Sequence, residues 1–293
     1  MQHKIINFIG VPLSLGTTNK DVDKLPHLLR SIWLPLNPSI NDLGDIPCPK
    51  FDSDKRSQEE TQAKNLTQIL KVSEQLEKEV YRVIKKKELP IVIGGDHSVT
   101  IGTAMGIKKA VGKENLIVIY LSSHAALHNE ETSHTGDVHG MQLAILLGEG
   151  KSNEVEKYVG KEAVINYENL HIFGCREIDE EEKSLAKRLD IKMATQASHI
   201  EKDIVGILSQ IKDNKNKHIL LSIDIDVINT PATRNSDKNG GIKIEVLQNI
   251  IRQIKKTDIP ITYEIVEVLT SKDQGNRTKK EIIQTMNEII AKQ

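Results

Sequence analysis

The chain has 293 residues, enough for one large α/β domain and within reach of two small ones. Hydrophobic residues make up 38% and charged residues 28%, a balance that excludes a disordered chain. Lys+Arg (40) and Asp+Glu (41) cancel to a net charge of −1, so neither nucleic acid nor an acidic lipid surface is an expected partner.

Aromatics are 3%, so Ile, Leu and Val must build the core. Cys48 and Cys175 lie far apart in no CxxC pair and read as reduced thiols. The N-terminal run has no signal-peptide pattern, and no stretch approaches the ~20 apolar residues of a membrane span. The expected location is cytoplasmic.

Short apolar runs alternate with amphipathic ones. Ile5–Val11 reads as the first strand. Residues 61–87 read as a long helix, with Leu66, Ile69, Leu70, Leu76, Val80, Val83 and Ile84 at helical spacing. Residues 89–93 form a strand stopped by Gly94-Gly95. Residues 115–121 form another, whose unbroken apolar run marks burial on both faces of a parallel sheet. Further strands are expected at 170–173, 218–223 and 261–266. Helices are expected at 180–189, 198–212, 244–255 and 279–291, with a polar loop at 235–241. Such alternation implies right-handed crossovers and one sheet covered on both faces. With no internal repeat and no linker, residues 1–293 read as a single domain.

Open parallel sheets bind ligands beyond the carboxyl ends of their strands, and three such ends carry unusual residues. The first is Gly94-Gly95-Asp96-His97-Ser98, where two glycines permit a sharp turn and His97 projects into the crevice. Taken alone, a turn histidine is more often structural than a ligand. The second is Ser122-Ser123-His124-Ala125-Ala126, followed by His128, His134 and His139. Four of the ten histidines fall in that region, and the plain alternative is a solvated polar loop. The third is Ser222-Ile223-Asp224-Ile225-Asp226, where alternation aims both aspartates the same way. Two carboxylates pointing together repel unless a cation or proton lies between them, although a pair of capping aspartates is the simpler reading. Mixed imidazole and carboxylate ligands suit an ion such as Mn²⁺.

These motifs give the chain a resemblance to the arginase or ureohydrolase family, which includes agmatinase and formimidoylglutamase. Gly94–Ser98 matches the family GGDHS, and Ser222–Asp226 matches S-x-D-x-D. Thr230-Pro231-Ala232-Thr233, Gly240-Gly241 and Glu267 follow in order. The resemblance implies a three-layer α/β/α fold around an eight-stranded, mostly parallel sheet, a trimer or hexamer, and two Mn²⁺. Within the family, arginase is the nearer pattern, because residues 122–140 match the length of its metal loop and Arg176–Asp179 resembles its amino-group segment. Carried over by position, His97, His124, Asp224 and Asp226 are metal ligands. His139 is the proton shuttle, Glu267 the guanidinium contact and Asp179 the α-amino contact. The ligand expected in the crevice is a small guanidino or amine compound.

The chain also departs from that pattern. The family motif on the second strand end is D-A-H-x-D, and both aspartates bind metal. Ser122 and Ala126 stand there instead, and the first of the two normally bridges both ions. His128 replaces a substrate-contacting asparagine, Thr135 replaces a serine, and Val227-Ile228-Asn229 replaces G-L-D. Two dications ~3.5 Å apart at an effective dielectric of ~20 repel by roughly 19 kcal/mol, and two carboxylates offset this less than four do. The leading expectation is therefore an impaired centre holding no ion or one, through His124, Asp224 and Asp226 with His97 or His128 helping, and weak or lost arginine hydrolysis. A second reading is an active hydrolase of arginine or another guanidine or amidine on a rebuilt or single-metal site. A third is a non-catalytic binding or regulatory relative of an active ureohydrolase.

Overall fold

The computed structural model describes residues 5–50, 62–194, 197–212, 214–228, 241–273 and 276–291. Residues 230–233, Gly240 and nearly all of the 235–241 loop lie outside the described residues.

Eight strands form one sheet: β1 Ile6–Val11, β2 Asn41–Asp45, β3 Leu89–Gly94, β4 Leu116–Leu121, β5 Leu170–Phe173, β6 Lys192–Ala194, β7 His218–Asp224 and β8 Ile261–Val266. Their order is β2-β1-β3-β8-β7-β4-β5-β6. Every described strand pair is parallel, a step beyond the mostly parallel sheet expected. The six strands expected from apolar runs are present. The two others are edges: β2 is polar Asn-Asp-Leu-Gly-Asp, and β6 has three residues. Neither carries a core-strand signal, because an edge buries little.

Strand alternation divides the core in two. Val92, Val118, Tyr120 and Leu220 join an apolar cluster with helix Leu66–Lys85 and helix Thr100–Val111. Ile91, Ile93, Ile117, Ile119, Leu221 and Ile223 face the other way, onto helices Leu25–Ile32, Ile244–Lys255 and Arg277–Ile290. Each fully buried Ile or Leu contributes about 1.5–3 kcal/mol, so covering both faces makes a sheet of short strands stable. Among the described residues, no helix is long and apolar enough to cross a membrane.

The long helix begins at Leu66 and ends at Lys85, inside the expected 61–87; Thr61 lies outside the described residues. Four shorter helices, Leu25–Ile32, Thr100–Val111, Gln142–Leu146 and Asn153–Val159, carry no clear sequence periodicity over enough turns to stand out.

Candidate active site

A cavity of about 510 Å³ opens over the carboxyl ends of the central strands. The three marked strand ends belong to β3, β4 and β7, but they are not consecutive. β8 runs between β3 and β7, and its following residue Glu267 fills the gap. With the segment after β5 that carries Asp179, the cavity draws on five strand ends, and it gathers His97, His124, His128, Thr135, His139, Asp179, Asp224, Asp226 and Glu267.

The turn after β3 requires its glycines. A Cβ on Gly95 would lie 1.7 Å from the Leu13 carbonyl oxygen, which accepts from Asp96 N at 2.8 Å. Asp96 then caps the next turn, accepting from Ser98 N (3.0 Å), and it also accepts from Gly16 N (2.8 Å). His97 is thereby driven into the floor. Its Nε2 lies 2.9 Å from Ser222 Oγ, which donates to the buried carboxylate of Glu264 at 2.8 Å. Because that serine proton goes to Glu264, Nε2 carries the hydrogen, and Nδ1 is the acceptor facing Asp224 Oδ2 at 3.4 Å. The Tyr120 ring stacks on His97 at 4.5 Å, with its hydroxyl 2.9 Å from Nδ1. Burial pulls the His97 pKa down to about 4. Glu264 also accepts from Thr100 and Thr103, both at 2.5 Å, so three hydroxyls satisfy it.

Asp224 ends β7, and Asp226 lies beyond it in the turn Ile225–Val227. The two converge because Asp224 accepts from Asp226 N (2.9 Å), which folds the chain back; strand alternation is not the cause. The Ser122 hydroxyl lies 3.0 Å from Asp224 Oδ2 and 3.4 Å from Asp226 Oδ1, with one proton to give to either. Ser123 N donates to Asp226 Oδ1 at 2.8 Å, and the Ser123 hydroxyl donates to Oδ2. His124 Nδ1 meets the same Oδ2 at 2.8 Å, and its Nε2 lies 3.6 Å from Glu177 Oε2.

The electrostatics follow. Burial alone would depress His124, but hydrogen bonds to Asp226 and Glu177 carry it up to about 11. Burial likewise pushes Asp226 up, yet His124 and Ser123 hold it well below the usual carboxylate range. Asp224 has burial and the charges of Asp226 and Glu267 against it, so it is raised well above that range.

Glu267 carries a left-handed backbone (φ 62°), held by its N–H on Gly95 O at 2.8 Å. Its Oε1 accepts from His97 N at 2.9 Å and meets His139 Nδ1 at 2.8 Å. Burial opposes both charges, but each offsets the cost for the other. His139 is raised above its ordinary value by Glu267, and Glu267 is held below its own by His139.

At the mouth, Asp179 caps helix Glu180–Arg188. Its Oδ1 accepts from Glu182 N at 3.0 Å, and Glu182 returns the bond to Asp179 N. The other oxygen of Asp179 meets His128 Nε2 at 2.7 Å. His128 packs edge-to-face on His134 at 5.8 Å. His128 is thus a partner of Asp179 at the mouth, grouped with Asp179 and Glu182 apart from His124, Asp224 and Asp226.

The donor chemistry tests the fit of a cation. Among the described residues, His124, Asp224 and Asp226 bring three ligand atoms within 4.8 Å of one another, and a second group, His128, Asp179 and Glu182, lies at the mouth. Ser122 adds a neutral hydroxyl and Ala126 a methyl. The mixed imidazole and carboxylate atoms of the floor set are of the kind that suits a divalent cation. Ala126 also keeps a left-handed backbone (φ 53°), a conformation that aspartate adopts more readily than alanine.

Four floor residues escape a motif reading. Ser123 lies where the D-A-H-x-D pattern has alanine, so its signal was inside the motif. Glu264 is the one charged residue in the apolar run of β8. Tyr120 and Glu177 carry no comparable mark.

Comparisons with known proteins agree with this architecture. A family model described as the arginase family matches residues 4–291. An arginase from Bacillus subtilis (strain 168) is 32% identical over 303 residues, covering 99% of this chain and 98% of that protein. The solved arginase from Bacillus caldovelox superposes with a TM-score of 0.86 at 28% identity, covering 99% of both chains. The formimidoylglutamase of Bacillus subtilis, at 20% identity and a TM-score of 0.76, covers 99% of this chain and 87% of that one, and shares the fold.

Proposed function

The chain belongs to the arginase family of ureohydrolases, and we propose that within it this protein has an impaired metal centre and hydrolyses arginine weakly or not at all. One observation carries this reading. Where the family pattern supplies a bridging aspartate, the Ser122 hydroxyl lies between Asp224 and Asp226, so a neutral group occupies the bridging position. A two-Mn²⁺ cluster would draw on anionic oxygen there, and without it the repulsion between two dications is offset by two carboxylates where the family pattern has four. His97, His124, Asp224 and Asp226 are the remaining candidate ligands, for one Mn²⁺ or none. Metal content after purification in excess Mn²⁺, measured together with urea release from arginine, tests it. The expectation is at most one Mn²⁺ per chain and little urea; two ions with rapid turnover would sink the reading.

The cavity supports a residual role in binding a small guanidino or amine cation. Glu267 and Asp179 are the expected contacts, with Thr135 and His128 on the same wall. A non-catalytic binding or regulatory role, in a homo-oligomer of the family kind and in the cytoplasm, belongs to this reading.

A second reading is favoured by the pair His139–Glu267. Its 2.8 Å contact keeps an imidazole and a carboxylate where proton transfer to a leaving amine would be needed. On that basis the protein is a hydrolase of another guanidine or amidine. A screen of arginine, agmatine, guanidinobutyrate and formimino-glutamate without metal-dependent product counts against it.

A further inference from the structure

Ser123 touches both oxygens of one carboxylate. Its main-chain N–H donates to Asp226 Oδ1 at 2.8 Å, and its side-chain hydroxyl donates to Oδ2. The His124 Nδ1 reaches that same Oδ2 at 2.8 Å. Oδ2 therefore has two donors for its two lone pairs, and both bonds are of the strong, charge-assisted kind. The backbone of Ser123 has little room to retreat. Its carbonyl accepts from Arg176 N at 2.7 Å and Glu177 N at 2.9 Å, and the residue is fully buried.

A cation approaching Asp226 must displace these donors. The N–H on Oδ1 belongs to the main chain and is available whatever residue stands at 123. The hydroxyl on Oδ2 depends on the serine alone. We propose that Ser123 weakens the floor's hold on a cation: by clasping Asp226 onto His124, it lowers the affinity of the site for Mn²⁺ even when carboxylates are supplied at positions 122 and 126. This rests on the reading of the floor as an impaired metal centre, and it deepens it. The missing aspartates remove ligands, while Ser123 occupies one that is present.

Three variants separate the two effects. The double variant Ser122→Asp/Ala126→Asp restores carboxylates only. The triple variant adds Ser123→Ala, and a control triple variant carries Ser123→Thr, which keeps a hydroxyl. Mn²⁺ affinity is read by titration with the free-ion electron paramagnetic resonance signal. The Ser123→Ala triple variant is expected to bind about tenfold or more tightly than the double, with the Ser123→Thr triple variant matching the double. A smaller gain, or an equal gain with threonine, overturns the role of Ser123 while leaving the metal-centre reading intact. If no variant binds Mn²⁺, the role of Ser123 falls, whereas two tightly bound Mn²⁺ in the unaltered protein would overturn the metal-centre reading instead. A metal-free measurement stands beside these. Thermal unfolding of Ser123→Ala, Asp226→Asn and their combination should show losses that fail to add, because the hydroxyl acts through that carboxylate. Additive losses overturn the proposal.

Discussion

The floor and the mouth of the cavity use the same residue types to different ends. At the floor, His124 and Asp226 meet at 2.8 Å, with the aspartate fully enclosed. At the mouth, His128 and Asp179 meet at 2.7 Å, with the Asp179 side chain 36% exposed. Burial makes the difference. An enclosed carboxylate must be fully supplied with donors, so Ser122, Ser123 and His124 all turn toward it. An exposed one is already hydrated, and Asp179 spends its remaining capacity on starting a helix. A histidine beside an aspartate is thus a structural keystone in one place and a helix cap with a neighbour in the other.

That contrast can be broken most directly at Asp226. Asp226→Asn leaves the partly buried His124 with Glu177 as its remaining carboxylate partner and should cost about 2–3 kcal/mol, read from the midpoint of urea unfolding. A loss below about 1 kcal/mol would mean that the floor pair is not the keystone.

His171 sharpens the comparison, because it is a buried histidine with no carboxylate partner among the described residues. Burial pulls its pKa down to about 4, whereas carboxylate partners carry the less enclosed His124 the other way. The sign follows from linkage. The unfolded chain binds a proton near pH 6.5 and the folded chain only near 4, so this residue's contribution to stability is full above 6.5 and shrinks as the pH falls between those values. His171→Leu should flatten the loss of melting temperature in that window. A steeper acid loss in the variant would refute the assignment.

The smallest expected effect is at the mouth. Asp179→Ala removes a capping-box residue and should cost about 1 kcal/mol, whether or not His128 is also changed to Asn. If the two losses proved strongly coupled in denaturant unfolding, the mouth would be a keystone as well.

Much of the fold was legible because buried parallel strands write themselves as apolar runs. β4 is unbroken and β3, β5, β7 and β8 are apolar runs with few interruptions, whereas β2 and β6 carry no such run, since an edge strand has one neighbour and little to bury. The candidate ligands were legible as motifs at strand ends. The placement of β8 between β3 and β7 was not, because strand order depends on crossovers that leave no local mark. Nor was the hydroxyl chemistry at Ser122 and Ser123. A motif with a missing carboxylate reads as a deletion, while the folded chain turns the replacement into a donor aimed at what is left.

Glu264 carries one more implication. Held by Thr100, Thr103 and Ser222, it ties the helix after β3 to the two central strands, and His97 hangs from the same serine. These side chains are tie-rods of the sheet as well as the underside of a reaction chamber. A lineage that stopped doing the chemistry would still be obliged to keep them, or lose the scaffold. The persistence of GGDHS and S-x-D-x-D in such a chain is therefore testimony about architecture, and turnover has to be judged from residues whose only duty is chemical.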